Sequence, residues 1–393
     1  MENKKFSIFP PFYPDITITR ADGVYVYDKD NKKYIDLSAS AGMCDLGYNN
    51  NEINRVIADQ IKKLTVAPQK YRTPEREALV KKILSLFPQK YDAVIPAVTG
   101  SEAVEAAMQT AVNLTGQDRF LSFDRAYHGR TFAAGSLGEG FFGFGIFKDN
   151  FDTVRPPLKQ SEVRGVIKKI AAMFKVKKYA AAVVEGVITN AGYLFPPPEF
   201  YRALSGLCHR HKVLLIFDEV LTGFGRTGKM FSFEYHGILP DLVCLSKNIA
   251  AGQIAMGAVV APRFLVEGYE GYSAFTWPPL GCAIALKSID IIVKKDLVSH
   301  SRKLGRVALL ILKKQLDNCP YIDNISGLGL GMAIKFNSSE TARRVHEACL
   351  AAGIMLFRKL DVSLLVIQPP LIIKREELMG ALKKVIAIIK KLC

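Results

Sequence analysis

The sequence predicts an α/β protein built on a mostly parallel sheet covered by helices, with an α+β layer contributed by its later part. Three observations lead there. Short, wholly apolar runs recur through the middle of the chain: AVIPAV, RFLSF, AAAVVEGV, VLLIFDEV, DLVCLS and MGAVVAP. Strands that apolar are buried on both faces, as in parallel sheets. Helical stretches such as SEAVEAAMQTAVNL and PEFYRALSGLCHRH lie between several of them, which is the βα alternation that parallel strands require. The last hundred residues then change character, with long helices (ALKSIDIIVKKDLVSHSRKLGRVALLILKKQL, ETARRVHEACLAAG, REELMGALKKVIAIIKKL) and strands such as GMAIKF and LLVIQPP.

The opening segment ITITRADGVYVYDKDNKKYIDL reads as three strands joined by turns, with DKDN placed where a hairpin needs it. From Glu52 the spacing of Ile53, Val56, Ile57, Ile61 and Leu64 is helical, as is that of Leu79 to Leu86. No internal repeat marks a boundary. At 393 residues with 49% hydrophobic composition the chain is globular, large enough for two or three domains or one large domain with an appendage.

Lysine and arginine number 53 against 37 acidic residues, a net charge of +16. The lysines are spread along the chain beside apolar positions, and no nucleic-acid recognition motif occurs, so ordinary surface charge is expected and neither nucleic acid nor membrane is expected as a partner. The densest run is Lys168 to Lys178. Seven cysteines at irregular spacing form no C-x-x-C, which points to reduced thiols in a cytoplasmic protein. His209 and His211 have no companion ligands and read as a helix end. The stretch MENKKFSIFPPFYP has no apolar signal core, and no run of 18 apolar residues follows.

The stretch LLIFDEVLTGFGRTGK (214–229) matches two phosphate-binding patterns incompletely. Gly223, Gly225 and Gly228 give G-x-G-x-x-G, but a dinucleotide loop must leave its strand at once and open a helix, and KMFSFEYHG has no helical period. Gly223, Gly228 and Lys229 give most of a P-loop, but Met230 cannot supply the hydroxyl that follows the lysine. The glycines are therefore a turn, and interest passes to Asp218 and Glu219 at the strand end.

In open parallel sheets ligands bind outside the carboxyl ends of the strands. Glu185, Asp218 and Lys247 each end such a strand. Gly100 and Ser101 open an amphipathic helix in TGSEAVEAAMQTA, with Ser101 as N-cap, and such a start accepts a phosphate. A lysine, a buried carboxylate and a phosphate cradle are what pyridoxal phosphate needs: the amine for a Schiff base and the carboxylate to keep the pyridine nitrogen protonated. Tyr127 in RAYHGRT could stack on one face of the ring and Val220 on the other.

These motifs, in this order, resemble the class III, or ω-, aminotransferases of the fold-type I pyridoxal phosphate-dependent enzymes. The likeness runs from ADGVYVYDKDNKKYIDL through TGSEAVEAA, YHGRT, FDEVLTGFGRTGKMFSFEYHGILPDLVCLSK and MGAVV to the PPL of QPPL. It implies a mostly parallel seven-stranded sheet flanked by helices, with a smaller α+β domain from the two ends of the chain: residues 1–50 and 291–393 around a cofactor domain of 51–290. It implies that Lys247 carries the Schiff base and moves protons as general base, that Asp218 holds the pyridine nitrogen, and that Gly100 and Ser101 bind the phosphate. Tyr127, His128, Glu185 and Val220 complete the cofactor site. It also implies a homodimer with shared active sites, in which Thr276 of AFTWPPLGCA reaches the partner's phosphate.

Three departures bear on substrate. Where the family commonly has R-x-x-P-P-L, here VIQPPL puts Val366 at the position of the carboxylate-clamping arginine, which an aliphatic side chain cannot replace. The common E-P-x-Q-G-E-x-G is EGVITNAG, with Ile188 and Asn190 in place of polar and acidic residues. The glutamine often found after D-E-V is Leu221. Substitute cations would be Arg358 and Lys359, or Arg20 and Arg130. The expected activity is transfer of an amino group from an amine, an amino sugar or a β- or ω-amino acid to a keto acid or aldehyde by a ping-pong mechanism. The alternative is an isomerase on the same scaffold, a racemase, epimerase or aminomutase.

Overall fold

The computed structural model describes residues 16–138, 148–271, 273–358 and 363–392. Its centre is a seven-stranded sheet in the spatial order Ala93–Ala97, Gly257–Ala261, Leu242–Leu245, Leu214–Asp218, Ala181–Glu185, Phe120–Phe123 and Phe151–Val154. Six strands run in one direction. Gly257–Ala261 is antiparallel to both of its neighbours, so the sheet is mostly, not wholly, parallel. The inner strands Ala181–Glu185, Leu242–Leu245 and Gly257–Ala261 are buried at every residue, which is why their sequences are apolar without alternation.

Helices cover the sheet. Gly100–Thr115 packs on the strands on one side, burying its alanine-rich face, Ala103, Ala106, Ala107 and Ala111, against Ile95, Ile216 and Val259. Small side chains let the helix axis approach the sheet closely. The other face carries the larger core, into which Pro198–His211 and Pro279–Lys294 pack. The long apolar stretch near residue 295 is two helices, Pro279–Lys294 and Leu297–Leu316, because Asp296 adopts a left-handed conformation (φ 47°) between them.

Two further sheets come from the ends of the chain. Ile18–Asp22, Tyr25–Asp28 and Lys33–Asp36 form an antiparallel meander, as the turn residues predict, and Ile354–Met355 adds to it in parallel. Ile322–Leu328, Gly331–Phe336, Leu364–Ile367 and Phe357–Arg358 form the other. The helix predicted from Glu52 is Asn51–Gln60, capped by the Asn50 side chain. It stops short of Ile61 and Leu64, which lie exposed beyond it. Five cysteines are free and buried. Cys319 departs from the reduced-thiol expectation, being disulfide-bonded.

One arginine ties the three sheets together. Arg226, from the GFGRTG turn, is wholly buried and ion-pairs with Asp45 of the first segment. Its Nη1 donates to Leu330 O at 2.9 Å and Pro369 O at 2.6 Å in the last sheet's connections. Gly225 and Gly228 take left-handed φ of 96° and 89° to turn the chain around it. Removing one partner of a buried pair leaves an uncompensated charge, at a cost of about 3–5 kcal/mol. Arg226→Ala is therefore expected to lower the unfolding free energy by about that amount, measured by urea titration of the purified protein; a loss under about 1 kcal/mol would show that the pair carries no such weight.

Candidate active site

The carboxyl ends of the parallel strands collect the titratable residues that the sequence singled out. Glu185, Asp218 and Cys244 occupy one rung of the sheet, in register on adjacent strands, and Lys247 follows Cys244 by three residues. Two carboxylates side by side on one rung repel each other, and each is fixed by the donors around it. Asp218 is fixed on both oxygens: Oδ2 lies 2.8 Å from His128 Nδ1, and Oδ1 accepts from Val220 N at 2.9 Å. Glu185 accepts from Tyr127 N at 3.3 Å on one oxygen and from Thr189 N and Oγ1 on the other. Burial pushes its carboxyl upward, the cation at His128 would lower it, and the Asp218 charge raises it again.

Lys247 opens a short 3₁₀ turn, Lys247–Ala250, with a left-handed φ of 43°, and its side chain is half-buried. Burial lowers its pKa from the usual lysine value, while Asp218, Glu185 and Asp45 act in the opposite direction. An amine pushed toward its neutral form is a nucleophile.

Helix Gly100–Thr115 starts beside this group. Its N-cap is Thr99, not Ser101: Thr99 is extended and its Oγ1 accepts from Glu102 N at 3.1 Å. Ser101 is one residue inside the helix, where its Oγ accepts from Arg130 N at 3.1 Å. Glycine at 100 is required by packing, since a Cβ there would lie 2.8 Å from Val220 Cγ1 and 3.3 Å from Ser246 Cβ. Gly100, Val220 and the residue before Lys247 therefore meet at one point. Tyr127 and His128 arrive on the loop after Phe120–Phe123, and the Tyr127 hydroxyl accepts from Arg130 Nε at 3.3 Å. His128 is 3% exposed, and its Nε2 has no partner among the described residues.

Thr276 is not brought to this group within the chain. It is buried, its Oγ1 accepts from Ser273 N at 3.1 Å, and Gln69 Nε2 donates to its carbonyl at 2.6 Å. Glu219, next to Asp218, faces the other way. Its Oε1 accepts from Ser232 Oγ and Phe233 N, and Thr222 donates to its Oε2, so it braces the loop instead of joining the site.

Val366 lies in an apolar cluster with Val187, Tyr193, Ala333 and Leu364, flanked by Phe195, Leu221 and Leu328. Arg358, one of the candidate substitute cations, lies on the neighbouring strand opposite Leu365, the residue before Val366. Asn190 is turned to donate to Arg125 O at 3.1 Å, and Arg20 lies over the Tyr27 ring, 3.6 Å from its centroid. Lys359 falls outside the described residues. Gln368, on the same face of its strand as Val366, accepts from the Tyr193 hydroxyl at 2.6 Å and donates to Ser38 O at 3.2 Å.

Sequence reasoning missed Asp45 and Arg226, which lie next to this site through Asn248 and Lys247. The signal was an arginine inside a glycine turn with no solvent role for its charge. It also read Glu219 as part of the strand-end pair.

Burial raises the Glu219 carboxyl to about 7. Its folded pKa thus exceeds the unfolded one, so its contribution to stability is complete below about pH 4.5 and is lost as pH rises through 7. Glu219→Gln, which cannot ionise, is expected to gain stability relative to the parent by about 2–3 kcal/mol between pH 5 and pH 8; parallel urea titrations at the two pH values test this, and a pH-independent difference refutes it.

A family model described as aminotransferase class-III matches residues 10–389. The chain is 30% identical over 384 residues to an acetylornithine aminotransferase of Methanopyrus kandleri, covering 96% of this chain and 94% of that one. It is 31% identical over 385 residues to ornithine aminotransferase 2 of Staphylococcus aureus, covering 94% and 93%. Its fold superposes with a TM-score of 0.91, at 25% identity and 99% coverage of each chain, on a pyridoxal phosphate-bound amine transaminase from an uncultivated Pseudomonas species. With strand order, site geometry and near-complete alignment in agreement, the chain belongs to the class-III aminotransferase family.

Proposed function

We propose that the protein is a pyridoxal phosphate-dependent aminotransferase that takes its amino group from an amine, an amino sugar or a β- or ω-amino acid and gives it to a keto acid or aldehyde. The observation that carries this reading is the rung on which Glu185 and Asp218 sit side by side with Lys247 just beyond. The residues fit the cofactor on three counts. Lys247 is shifted toward the neutral amine, Asp218 is held rigidly by His128 and Val220, and the Gly100–Ser101 helix start leaves no room for a side chain at Gly100.

When bound, pyridoxal phosphate supplies an aldehyde carbon and a ring that accepts electrons from the substrate's α-carbon. Lys247 would hold the aldehyde as its covalent anchor, and its Nζ, once free, would act as the general base that moves a proton at the donor carbon. Asp218, oriented by His128 and Val220 N, would hold the proton of the ring nitrogen. The first-turn N–H groups of Gly100 and Ser101 bind the phosphate. Tyr127 and Val220 would pack against the ring, and Glu185 braces the Tyr127 backbone by accepting from its N–H.

The substrate reading rests on Val366. An α-carboxylate needs a bidentate cation, and the cluster around Val366 offers valine, tyrosine, alanine and leucine instead.

Shared active sites in a homodimer follow from the same reading. Ile61, Val66, Tyr71 and Phe275 are large apolar side chains with exposures of 54%, 55%, 69% and 71%. Gln69 binds the carbonyls of Ala274 and Thr276 and so joins their two segments. A surface of that kind covers itself by pairing with a second copy, which would bring Thr276 toward the partner's phosphate.

Three outcomes test the proposal. Borohydride reduction should fix the cofactor to Lys247, and Lys247→Ala should lose the visible absorbance band while keeping its far-ultraviolet circular dichroism. Amines and ω-amino acids should bleach that band, and a keto acid or aldehyde should restore it; inversion of one amino acid with no acceptor present would instead establish an isomerase. Light scattering should give twice the 43.5 kDa chain mass, and Thr276→Ala should weaken cofactor retention about tenfold, the loss of one charge-assisted hydrogen bond.

A further inference from the structure

The positive charge of this chain is not evenly distributed once it is folded. Helices Leu297–Leu316 and Arg375–Leu392 pack side by side. Two contacts fix their relative direction: His300 Nε2 bonds Ile373 O at 2.8 Å near both starts, and Lys390 Nζ bonds Gln315 Oε1 at 2.9 Å near both ends. They are parallel and in step, giving a two-helix face about 30 Å long at 1.5 Å per residue.

Each helix buries one stripe. Leu297, Ser301, Leu304, Ala308, Leu312 and Leu316 face inward on the first, and Leu378, Leu382, Val385 and Ile389 on the second. The outer side of the first carries Arg302, Lys303, Arg306, Lys313 and Lys314, and that of the second Lys383, Lys384, Lys390 and Lys391. All nine are exposed, and neither 297–316 nor 378–392 contains an acidic residue. Among the described residues none of the nine is in an ion pair, whereas Lys287, Lys295, Lys335 and Arg343 elsewhere are paired. The two helices together hold ten cations and two carboxylates, Glu376 and Glu377 in the first turn of the second, so they carry a net +8 of the chain's +16. Complementing the helix dipoles accounts for those in the last turns, but not for Arg302, Lys303, Arg306, Lys383 and Lys384.

The geometry points to this face as a peripheral docking surface for an anionic lipid bilayer. Its chemistry fits that occupant better than a nucleic acid. Leu297–Leu316 packs on the strands Ile322–Leu328 and Gly331–Phe336, and Arg375–Leu392 packs on that helix and on the helix Ser339–Ala351, so neither stands free to enter a major groove. No aromatic side chain stands among the nine on which a base could stack. Lysines outnumber arginines seven to two, and lysine acts as a hydrated point charge, not as a bidentate fork for phosphate or guanine. Leu310, 58% exposed, sits in the middle of the basic row and gives the face one apolar contact at headgroup depth. No helix of the described residues is long and apolar enough to span a bilayer, so the attachment is electrostatic and reversible.

The experiment is co-sedimentation of the full-length, cofactor-loaded protein with vesicles of phosphatidylcholine, with and without phosphatidylserine. Binding is expected only to the anionic vesicles, falling steeply from low to physiological salt as the Debye length shrinks to about 8 Å. The variant Arg302→Gln/Lys303→Gln/Lys383→Gln/Lys384→Gln should bind at least tenfold more weakly, since each basic residue near an anionic surface is worth about fivefold. A charge-matched control, Lys168→Gln/Lys169→Gln/Lys175→Gln/Lys178→Gln, should bind as the parent does, with both variants checked by thermal melting. Equal losses in the two variants would show a net-charge effect and overturn the assignment. So would failure of the parent to bind, or tighter binding to duplex DNA than to the anionic vesicles.

Discussion

The buried ion pair between Arg226 and Asp45 is the constraint on which the arrangement of the three sheets rests. A guanidinium removed from water must find acceptors for its donors, and Arg226 finds them in segments far apart in the chain: Asp45, Leu330 and Pro369. Four residues separate Asp218 from the GFGRTG turn, so one short segment both follows the central strand Leu214–Asp218 and holds the first and last segments against it. Burial raises the Asp45 carboxyl to about 6 even with the arginine beside it.

Around that junction the site is an electrostatic balance. Glu185 and Asp218 sit side by side on one rung, with His128 against Asp218 and Lys247 just beyond. The result separates the two acids: Asp218 is held by two donors, while Glu185 is pushed toward protonation and serves the backbone of Tyr127 and Thr189. Lys247 feels both acids and Asp45, yet burial prevails and its amine shifts toward the neutral form. Glu219, one residue from Asp218, escapes the balance because strand alternation sends it to the opposite face.

Much of this was legible in the sequence. The apolar runs located the strands, and their terminal Glu185, Asp218 and Lys247 could be grouped because ligands gather at carboxyl ends of parallel strands. Strand direction was less visible: MGAVVAP is as apolar as its neighbours, and a run without alternation does not say which way it runs, so the antiparallel Gly257–Ala261 looked like the rest. Ser101 was read as the cap because serine caps well, but Thr99, two residues earlier, is the one left extended. Arg226 was hidden for a different reason, since charged residues in a glycine turn are expected in solvent. The basic face was hidden by distance: Arg302 and Lys391 are nearly ninety positions apart in sequence, and only packing reveals that their helices are neighbours.

The apolar surroundings of Val366 also bear on how this chain can change over generations. Installing an arginine there alone would strand a guanidinium among Val187, Ala333 and Leu364, with Asn190 already committed to Arg125 O. An arginine at 366 would need a second change to give it an acceptor, and with the first change alone the orphaned charge would cost about 3–5 kcal/mol of folding free energy.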